Sequence, residues 1–440
     1  MTVTLLPGPA QGTLAAIPSK SAAHRLLICA ALGDRPVRVV CPQTSQDIEA
    51  TVRCLAGLGA SIRPWDQGYD VTPLDRAQAA GPCDLDCGES GSTLRLLLPV
   101  AGALGAQATF HLAGRLAQRP LGPLTEQLEA GGCTVDLCPQ ENRLTIQGQL
   151  QPGDYTLPGD VSSQFISGML FALPLLEGES TLTVTGPRES VGYVDLTLRA
   201  LAQFGVVPAP EESGWRMAPQ PYHGPSWVQV EGDWSNAAPW LCLGALGGES
   251  VTVKGMDPAS LQGDKAVCDV LAQMGARLHI TGDRVTAFHG PLRPTQIDAR
   301  DIPDLVPVLA AVAAAIPGTT TITGAARLRL KESDRLETTA RALRALGGDV
   351  TVTEDGLVIQ GRSLVISLLF FIITAHAAVF NYYFAVFLPI YAKAVFHFFL
   401  PAVRLFLSTV SMRIFCSEIF FNSVIYHIWI LTSPLYGVNH

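Results

Sequence analysis

The chain has 440 residues, of which 48% are hydrophobic and 15% charged, and a net charge of −8 at pH 7. This length accommodates roughly two or three domains, and the acidic balance argues against non-specific nucleic-acid binding, which needs a basic stripe. The ten cysteines include no Cys-x-x-Cys motif or zinc-ligand spacing, and residues 1–5 lack the start of a signal peptide, so we expect a cytoplasmic protein without a metal site.

From its N-terminus the chain repeats a unit of about seventy residues five times. Each unit opens with a glycine before a β-rich run, continues with a helical pattern and closes at a glycine turn before another strand. The opening glycines are Gly33, Gly105, Gly178, Gly248 and Gly318, and the closing glycines are Gly59, Gly132, Gly205, Gly275 and Gly347. Repeats of this size bury a hydrophobic face only against their neighbours, so the pattern predicts an α/β fold of packed units.

Additional apolar helices are predicted between the units, at residues 21–32, 92–104, 162–176, 236–246 and 303–315. Their apolar faces favour burial inside a ring of sheets. Six such units would form two domains of three, and the Pro-rich stretch before residues 231–233 indicates where the chain crosses between them. A sixth unit should open near position 388, where the sequence is instead apolar and aromatic.

The first of these helices starts with a cationic motif at residues 18–25. Ser19 or Ser21 can cap this helix, and Lys20 and Arg25 add positive charge beside its exposed backbone N–H groups. We therefore expect an anion to bind there. The alternative is an ordinary capped helix with solvated charges.

Residues 87–95 form a Gly-rich loop that includes Gly91 and runs into a helix. No Gly-Lys-Ser/Thr follows, so this loop is not a phosphate-binding P-loop, and a simple turn is an equal interpretation. Arg119, before Pro120, is a candidate for a planar contact with carboxylate or phosphate, with an exposed arginine as the plainer alternative.

Two hydroxyls and an amide follow one another at Ser162, Ser163 and Gln164, again at a helix start, and they suit a phosphorylated polyol. An N-cap alone explains one serine and leaves the other two side chains without a role. Ser190 is a fainter instance of the same position, with a structural role as the alternative.

Asp304 begins an apolar helix, and Lys331, Glu332 and Arg335 place both charge signs at another helix start. Capping and a solvated helix face are the alternatives. Each of these motifs is a loop that leads into a helix N-terminus, and the repeat can direct these N-termini toward one cleft. Together they predict a site for two anionic ligands, with two carboxylates for proton transfer.

As a set, the motifs resemble those of 5-enolpyruvylshikimate-3-phosphate (EPSP) synthases. The matching signals are Pro-Ser-Lys-Ser-x-x-x-Arg, Gly-x-x-Gly-Ser, Arg-Pro, Ser-Ser-Gln, Ile-Pro-Asp and Lys-Glu-Ser-Asp-Arg, in the family's order within residues 1–362. The resemblance implies six βαβαββ units in two closing domains, with residues 18–233 as one domain and residues 1–17 plus 234–362 as an incomplete second. It also implies that no metal or organic cofactor is needed, and we expect a monomer.

The resemblance further implies transfer of the enolpyruvyl group of phosphoenolpyruvate to the 5-hydroxyl of shikimate 3-phosphate, in the pathway to chorismate and the aromatic amino acids. Lys20 would contact both substrates. Shikimate 3-phosphate would be held by Ser21, Arg25, Ser162, Ser163, Ser190 and Lys331, and phosphoenolpyruvate by Gly91, Arg119 and Arg335, with Gln164 between the two ligands. Asp304 would take the proton of the attacking hydroxyl, and Glu332 with Lys20 would handle the proton at the methylene carbon.

The sequence departs from the family pattern at three places. Glu89 stands where many members have Asn beside the phosphoenolpyruvate loop, and Arg327 stands where some use Asn on shikimate 3-phosphate. After Arg362 the family's Asp-His-Arg motif and late Lys, both on phosphoenolpyruvate, are missing from the sequence. We therefore expect impaired turnover.

The tail at residues 363–440 is apolar, rich in phenylalanine and poor in charge. Residues 363–392 carry no charge and are long enough to span a bilayer, which makes a membrane-tethered, non-catalytic scaffold or binder of shikimate 3-phosphate the alternative function. The abrupt change of composition at a repeat boundary favours instead a non-native join, such as a frameshift or a fusion. A divergent sixth repeat fits poorly, because the glycine turns and polar alternation are missing.

Overall fold

The structure, a computed structural model, describes residues 10–247, 249–331 and 333–362. The predicted catalytic residue Glu332 and the predicted apolar tail at residues 363–440 lie outside these described residues. Within the described ranges, no helix is both long enough and apolar enough to cross a membrane.

Five four-stranded sheets form the framework of the described chain. The strands are Gly12–Ala15 (β1), Val37–Val40 (β2), Ser61–Trp65 (β3), Gly68–Thr72 (β4), Pro82–Gly88 (β5), Gln107–Leu112 (β6), Cys133–Cys138 (β7), Arg143–Gly148 (β8), Asp154–Pro158 (β9), Ser180–Thr185 (β10), Ala209–Glu211 (β11), Gly214–Met217 (β12), Trp227–Gln229 (β13), Val251–Lys254 (β14), Arg277–Thr281 (β15), Arg284–Phe288 (β16), Gln296–Asp298 (β17), Gly318–Thr323 (β18), Asp349–Val352 (β19) and Leu357–Gly361 (β20).

All five sheets have one topology. Their strand orders are β13-β2-β4-β3, β5-β6-β8-β7, β9-β10-β12-β11, β1-β14-β16-β15 and β17-β18-β20-β19. In each, the first two strands are parallel and the other pairs are antiparallel. This is the sheet of a βαβαββ unit, so the predicted α/β fold of repeated units is confirmed.

The α-helices alternate between two roles. They are Lys20–Ala31 (α1), Gln46–Gly57 (α2), Gly91–Ala103 (α3), Gly122–Ala130 (α4), Ser163–Ala172 (α5), Val191–Gln203 (α6), Trp234–Leu246 (α7), Val267–Met274 (α8), Val306–Ala314 (α9) and Arg335–Ala345 (α10). The odd-numbered helices are those predicted between the units. They are buried along most of their length, and every residue of α9 is buried, as their apolar composition predicts.

The even-numbered helices end at the predicted closing glycines. The backbone φ angles are 106° at Gly59, 100° at Gly132, 77° at Gly205, 103° at Gly275 and 84° at Gly347. Glycine adopts this left-handed conformation without the steric cost that a Cβ atom imposes, which is why it terminates helices. The sequence period therefore marks turns that reverse the chain into the next strand.

Buried apolar side chains form two clusters. One extends from Ala22 to Val230, and the other combines Ala10 with residues between Trp234 and Ile359. Strand β1 pairs in parallel with β14, so it belongs to a sheet of the second cluster. Strand β13 pairs in parallel with β2, so it belongs to a sheet of the first cluster. We propose on this basis that the chain has two domains, and that the segment before α1 contributes β1 to the second one.

The two segments that cross between the clusters lie side by side. Ser19 N donates to Glu231 O at 2.7 Å, and Asp233 N donates to Ile17 O at 2.8 Å. The first crossing leads directly into α1 and the second into α7. The N-termini of two buried helices therefore open at the junction of the two clusters.

Candidate active site

Lys20, the first residue of α1, lies at this junction among acidic side chains. Ser19 caps the helix through its side chain, and Lys20 N donates to Asp233 Oδ2 at 3.1 Å. The Lys20 ammonium donates to Asp47 Oδ2 at 2.7 Å. Burial alone would lower the pKa of Lys20, but Asp47, Asp233 and Asp304 raise it above its ordinary value. Lys20 is therefore a cation.

Asp47 connects Lys20 to the Gly-rich loop. Its carboxylate also accepts a hydrogen bond from Ser90, which caps α3, and Thr93 Oγ1 donates to Asp47 O at 3.3 Å. Burial would raise the pKa of Asp47, but the charge of Lys20 and the hydrogen bonds lower it to about 2. Gly91, which follows Ser90, is thus held close to the Lys20–Asp47 pair.

Two arginines and a glutamine lie beside the start of α3. A Cβ atom at Gly91 would be 2.5 Å from Arg119 Nη1, so the guanidinium lies directly against this glycine. Arg95 donates to Gln164 Oε1 at 3.0 Å, and Gln164 Nε2 donates to Ser92 Oγ at 2.8 Å. Burial and the charge of Arg119 lower the pKa of Arg95 to about 9. Two adjacent guanidinium groups with an amide suit an anionic ligand.

Arg25 joins three helices from a buried position, with only 3% of its surface exposed. Its guanidinium donates to Thr197 Oγ1 of α6 at 2.8 Å and to Ser167 Oγ of α5 at 3.4 Å. It also donates to Ser21 O of α1 at 2.7 Å and to Tyr193 O at 2.9 Å. Burial lowers the pKa of Arg25 to about 10. These contacts hold the three helices together, and its contact with a ligand stays a prediction.

The serines at the starts of α5 and α6 differ in role. Ser162 caps α5, since its Oγ accepts a hydrogen bond from Gln164 N at 3.3 Å, and Ser163 is buried in the first turn. Ser190 precedes α6 in the left-handed conformation, with φ of 56°, and its side chain does not cap that helix. The hydroxyl of Ser190 instead accepts a hydrogen bond from Arg327 Nη2 at 3.0 Å.

Arg327 belongs to the second cluster and reaches across to the first. It forms an ion pair with Glu189 as well as the hydrogen bond to Ser190. Ser190 N donates to Asp301 Oδ1 of the second cluster at 2.8 Å. These contacts connect the two clusters on the side of the junction that carries Ser190. Arg327 Nη2 also donates to Arg300 O at 2.8 Å, so Arg327 has a partner in both clusters.

Asp304 lies in a short 3₁₀ segment, Pro303–Leu305, and does not cap α9. Arg335 Nη1 donates to Asp304 Oδ1 at 2.6 Å, and Lys331 Nζ is 3.7 Å from the same oxygen. Burial would raise the pKa of Asp304, but Lys331, Arg335 and Lys20 hold it well below its usual range. Asp304 is therefore ionised within a cluster of three cations.

The structure adds residues that the sequence-based prediction missed. Tyr193 OH lies 3.5 Å from both Asp304 Oδ2 and Asp264 Oδ2. Arg95 could have been found, because it lies four residues after Gly91 and therefore on the same helix face. Asp47 and Asp264 carry no comparable signal, since each is an acid in the first turn of a helical segment.

The described residues thus fall into two groups that meet at Lys20. One group comprises Lys20, Asp304, Lys331 and Arg335, and the other comprises Gly91, Arg119 and Gln164, which reach Lys20 through Asp47. At the starts of the three neighbouring helices lie Ser21, Ser162, Ser163 and Ser190, and Arg25 lies in the second turn of α1. No group of three or more His, Cys, Asp or Glu side chains in the described part of the chain could hold a metal ion.

Comparison with known proteins finds one family that matches most of the chain. A family model described as EPSP synthase (3-phosphoshikimate 1-carboxyvinyltransferase) matches residues 6–369. The 3-phosphoshikimate 1-carboxyvinyltransferase of Clostridium kluyveri is 39% identical over 364 residues, which cover 82% of this chain and 84% of that protein. The protein of the same name from Clostridium beijerinckii is 38% identical over 367 residues, covering 81% and 84%.

Solved structures share the fold. An EPSP synthase from Acinetobacter baumannii aligns with a TM-score of 0.67 at 24% identity, covering 86% of this chain and 92% of that one. The enolpyruvyl transferase NikO from Streptomyces tendae aligns with a TM-score of 0.63 at 19% identity, covering 84% and 90%.

Proposed function

The chain belongs to the EPSP synthase family, and from that premise we propose how its own residues carry the family's reaction. The enzyme transfers the enolpyruvyl group of phosphoenolpyruvate to the 5-hydroxyl of shikimate 3-phosphate, with release of phosphate, in the shikimate pathway. The family match favours this activity over a non-catalytic, membrane-tethered scaffold.

Shikimate 3-phosphate binds where the N-termini of α1, α5 and α6 open side by side. The support is Arg25, which contacts all three helices within about two turns of their starts. Helix N-termini present free N–H groups and partial positive charge to an anion. The hydroxyls of Ser21, Ser162, Ser163 and Ser190, with Arg25 and Lys331, supply the remaining donors.

Phosphoenolpyruvate binds beside this ligand, between Arg119 and Arg335. Gly91 lets the Arg119 guanidinium lie close to the helix start, and Gln164, held by Arg95, lies between the two ligands. Lys20 contacts both substrates. The positive charges of Arg119, Arg335 and Lys20 neutralise the phosphate and carboxylate of the substrate and stabilise the negative charge that develops in the tetrahedral intermediate.

Asp304 takes the proton of the attacking hydroxyl. While Arg335 and Lys331 hold Asp304, its low pKa makes it a weak base. Arg335 is also a ligand of phosphoenolpyruvate in this proposal, so binding of that substrate draws Arg335 away and raises the pKa of Asp304. The substrate thereby activates the base. Glu332 and Lys20 handle the methylene proton, a role that for Glu332 rests on sequence alone.

The observation that carries the proposal is the Asp304 carboxylate among Lys20, Lys331 and Arg335 at the junction of the two clusters. We expect Asp304→Asn to lower the rate of phosphate release from the two substrates by about 10²–10⁴-fold. The matched control is Asp349→Asn, which removes an exposed carboxylate paired with Arg362. Equal activity of the two variants would remove Asp304 from the mechanism.

The monomeric state and cytoplasmic location expected from the sequence remain predictions. Sedimentation velocity of the purified chain tests the first, and cell fractionation tests the second. Association with membranes after carbonate extraction would contradict the cytoplasmic location and point to residues 363–440.

A further inference from the structure

Asp264 is a buried acid with an unusual set of contacts. It lies in the 3₁₀ segment Gly263–Ala266 and is 0% exposed. Its Oδ2 atom contacts the hydroxyl of Ser235 and lies 3.5 Å from Tyr193 OH. Within the described residues, its Oδ1 atom has no hydrogen-bond partner. An ionised carboxylate with one unsatisfied oxygen is costly in such a place, because burial removes the water that would solvate it.

Tyr193 connects this acid to the proposed catalytic base. Its hydroxyl lies 3.5 Å from Asp264 Oδ2 and 3.5 Å from Asp304 Oδ2. A phenol has one proton and donates to one acceptor at a time. Which carboxylate accepts the hydrogen bond of the Tyr193 hydroxyl therefore depends on the charges of the two acids.

In the described part of the chain, charged and polar groups from four other elements act on Asp264. They are Tyr193 from α6, Asp233 and Ser235 at the start of α7, Asp304 from the Pro303–Leu305 segment, and Lys331 before α10. Burial and then the charge of Asp304 raise the pKa of Asp264 to about 7, against the opposing effects of Ser235 and Lys331. Asp304, by contrast, is firmly ionised.

We propose that Asp264 is a positioning residue that holds a proton in the complex with shikimate 3-phosphate, and that this leaves the Tyr193 hydroxyl to donate to Asp304. The inference rests on the proposed binding of that substrate at the same junction. The arriving phosphate and carboxylate add negative charge, which disfavours a second ionised acid next to Asp304. With Asp264 neutral, Asp304 is the stronger acceptor for Tyr193, and its carboxylate is held in one orientation for the substrate hydroxyl.

The proposal predicts that binding of shikimate 3-phosphate is linked to proton uptake. Since the pKa of Asp264 is about 7, the free protein loses this proton progressively as the pH rises above 7, and the complex takes it back. If the ligand raises the affinity of Asp264 for its proton by about one pH unit, the ligand binds about sevenfold more weakly at pH 9 than at pH 6.5. Removal of the titrating group abolishes this dependence.

The experiment is calorimetric titration of the full chain with shikimate 3-phosphate at pH 8, in two buffers of different ionisation enthalpy. We expect the wild-type protein to take up a fraction of a proton more than Asp264→Asn on binding. We also expect the weakening of about sevenfold toward pH 9 in the wild type and a nearly constant affinity in the variant. Equal proton uptake and parallel affinity profiles overturn the inference.

Ser235→Ala is a second variant that tests the same group without replacing it. The Ser235 hydrogen bond favours the ionised form of Asp264, so its loss should move the midpoint of the affinity profile to higher pH. An unmoved midpoint also overturns the inference. If the wild-type chain does not bind shikimate 3-phosphate at all, the proposed function fails, whereas binding without the linked proton uptake refutes only the role of Asp264.

Discussion

The contact between Gly91 and Arg119 gives the most direct test of the phosphoenolpyruvate site. In Gly91→Ala, the new Cβ atom would lie 2.5 Å from Arg119 Nη1, 3.0 Å from Cζ and 3.3 Å from Nη2. The guanidinium, rather than the helix, has to give way, because it is the end of a flexible side chain.

The size of the effect follows from the displacement. To restore an ordinary contact of about 3.5 Å, Nη1 must retreat by about 1 Å. A displacement of about 1 Å in a group that positions a substrate can cost about 10²-fold in rate. We therefore expect Gly91→Ala to weaken phosphoenolpyruvate binding about 10–100-fold, with the affinity for shikimate 3-phosphate changed less than about threefold.

The assay is titration of phosphoenolpyruvate into the complex with shikimate 3-phosphate, together with phosphate release. Alanine is a better helix former than glycine, so Gly91→Ala should not lower the free energy of unfolding. The matched control is Gly153→Ala, because an added Cβ there meets no atom within 4 Å. Unchanged phosphoenolpyruvate affinity in Gly91→Ala would refute the assignment of Arg119 to this ligand.

Three further predictions concern stability, pH and turnover. Arg25→Met should lower the free energy of unfolding, measured by urea denaturation, by about 2–4 kcal/mol, because it leaves the hydrogen-bond partners of Arg25 on α5 and α6 unsatisfied. The control Arg63→Met, at an exposed position, should change it by less than about 0.5 kcal/mol. Similar losses in the two variants would contradict the buried role of Arg25. Asp47 has a lowered pKa of about 2 in the folded protein, so its pairing with Lys20 stabilises the fold above the unfolded pKa of about 3.9 and is lost as pH falls toward 2. Asp47→Asn should therefore be less stable than wild type at pH 7 and nearly equal to it at pH 2, and a deficit that persists at pH 2 would speak against the ion pair. The wild-type chain should bind shikimate 3-phosphate yet turn over far more slowly than its Clostridium kluyveri relative, since the sequence after Arg362 lacks the family's last phosphoenolpyruvate motifs. Comparable rates of phosphate release by the two enzymes would disprove the prediction of slow turnover.

The repeat was predictable from the sequence because its signals are local. A closing glycine such as Gly205 is needed where the helix reverses, and the helix before it has its own apolar period. The apolar helices between the units were equally clear, since α9 consists only of apolar residues. Helix starts are also local features, which is why Lys20 and Ser162 could be singled out before the fold was known.

The partners of these residues could not be predicted, because they are distant in sequence. Asp47 lies 27 positions from Lys20, and Tyr193 lies 71 positions from Asp264 and 111 from Asp304. No period or spacing relates such pairs, and only the packing of one unit against another brings them together. The family motifs indicated which groups are expected to contact substrates but gave no account of what holds those groups.

Charge at the junction explains why one of these distant acids should be neutral. The site has to attract two anionic substrates, yet Asp47, Asp233, Asp264 and Asp304 all lie close to Lys20, Lys331 or Arg335. Asp47 has Lys20 as its partner, Asp304 has Arg335 and Lys331, and Asp233 accepts backbone hydrogen bonds from Lys20 and Asn236. Asp264 has two hydroxyl neighbours, and the charge of Lys331 affects its pKa less than burial, Asp304, Ser235 and Asp233 do. A protonated Asp264 therefore removes a negative charge that Lys331 offsets only in part, and it does so beside the carboxylate that we propose accepts the substrate's proton.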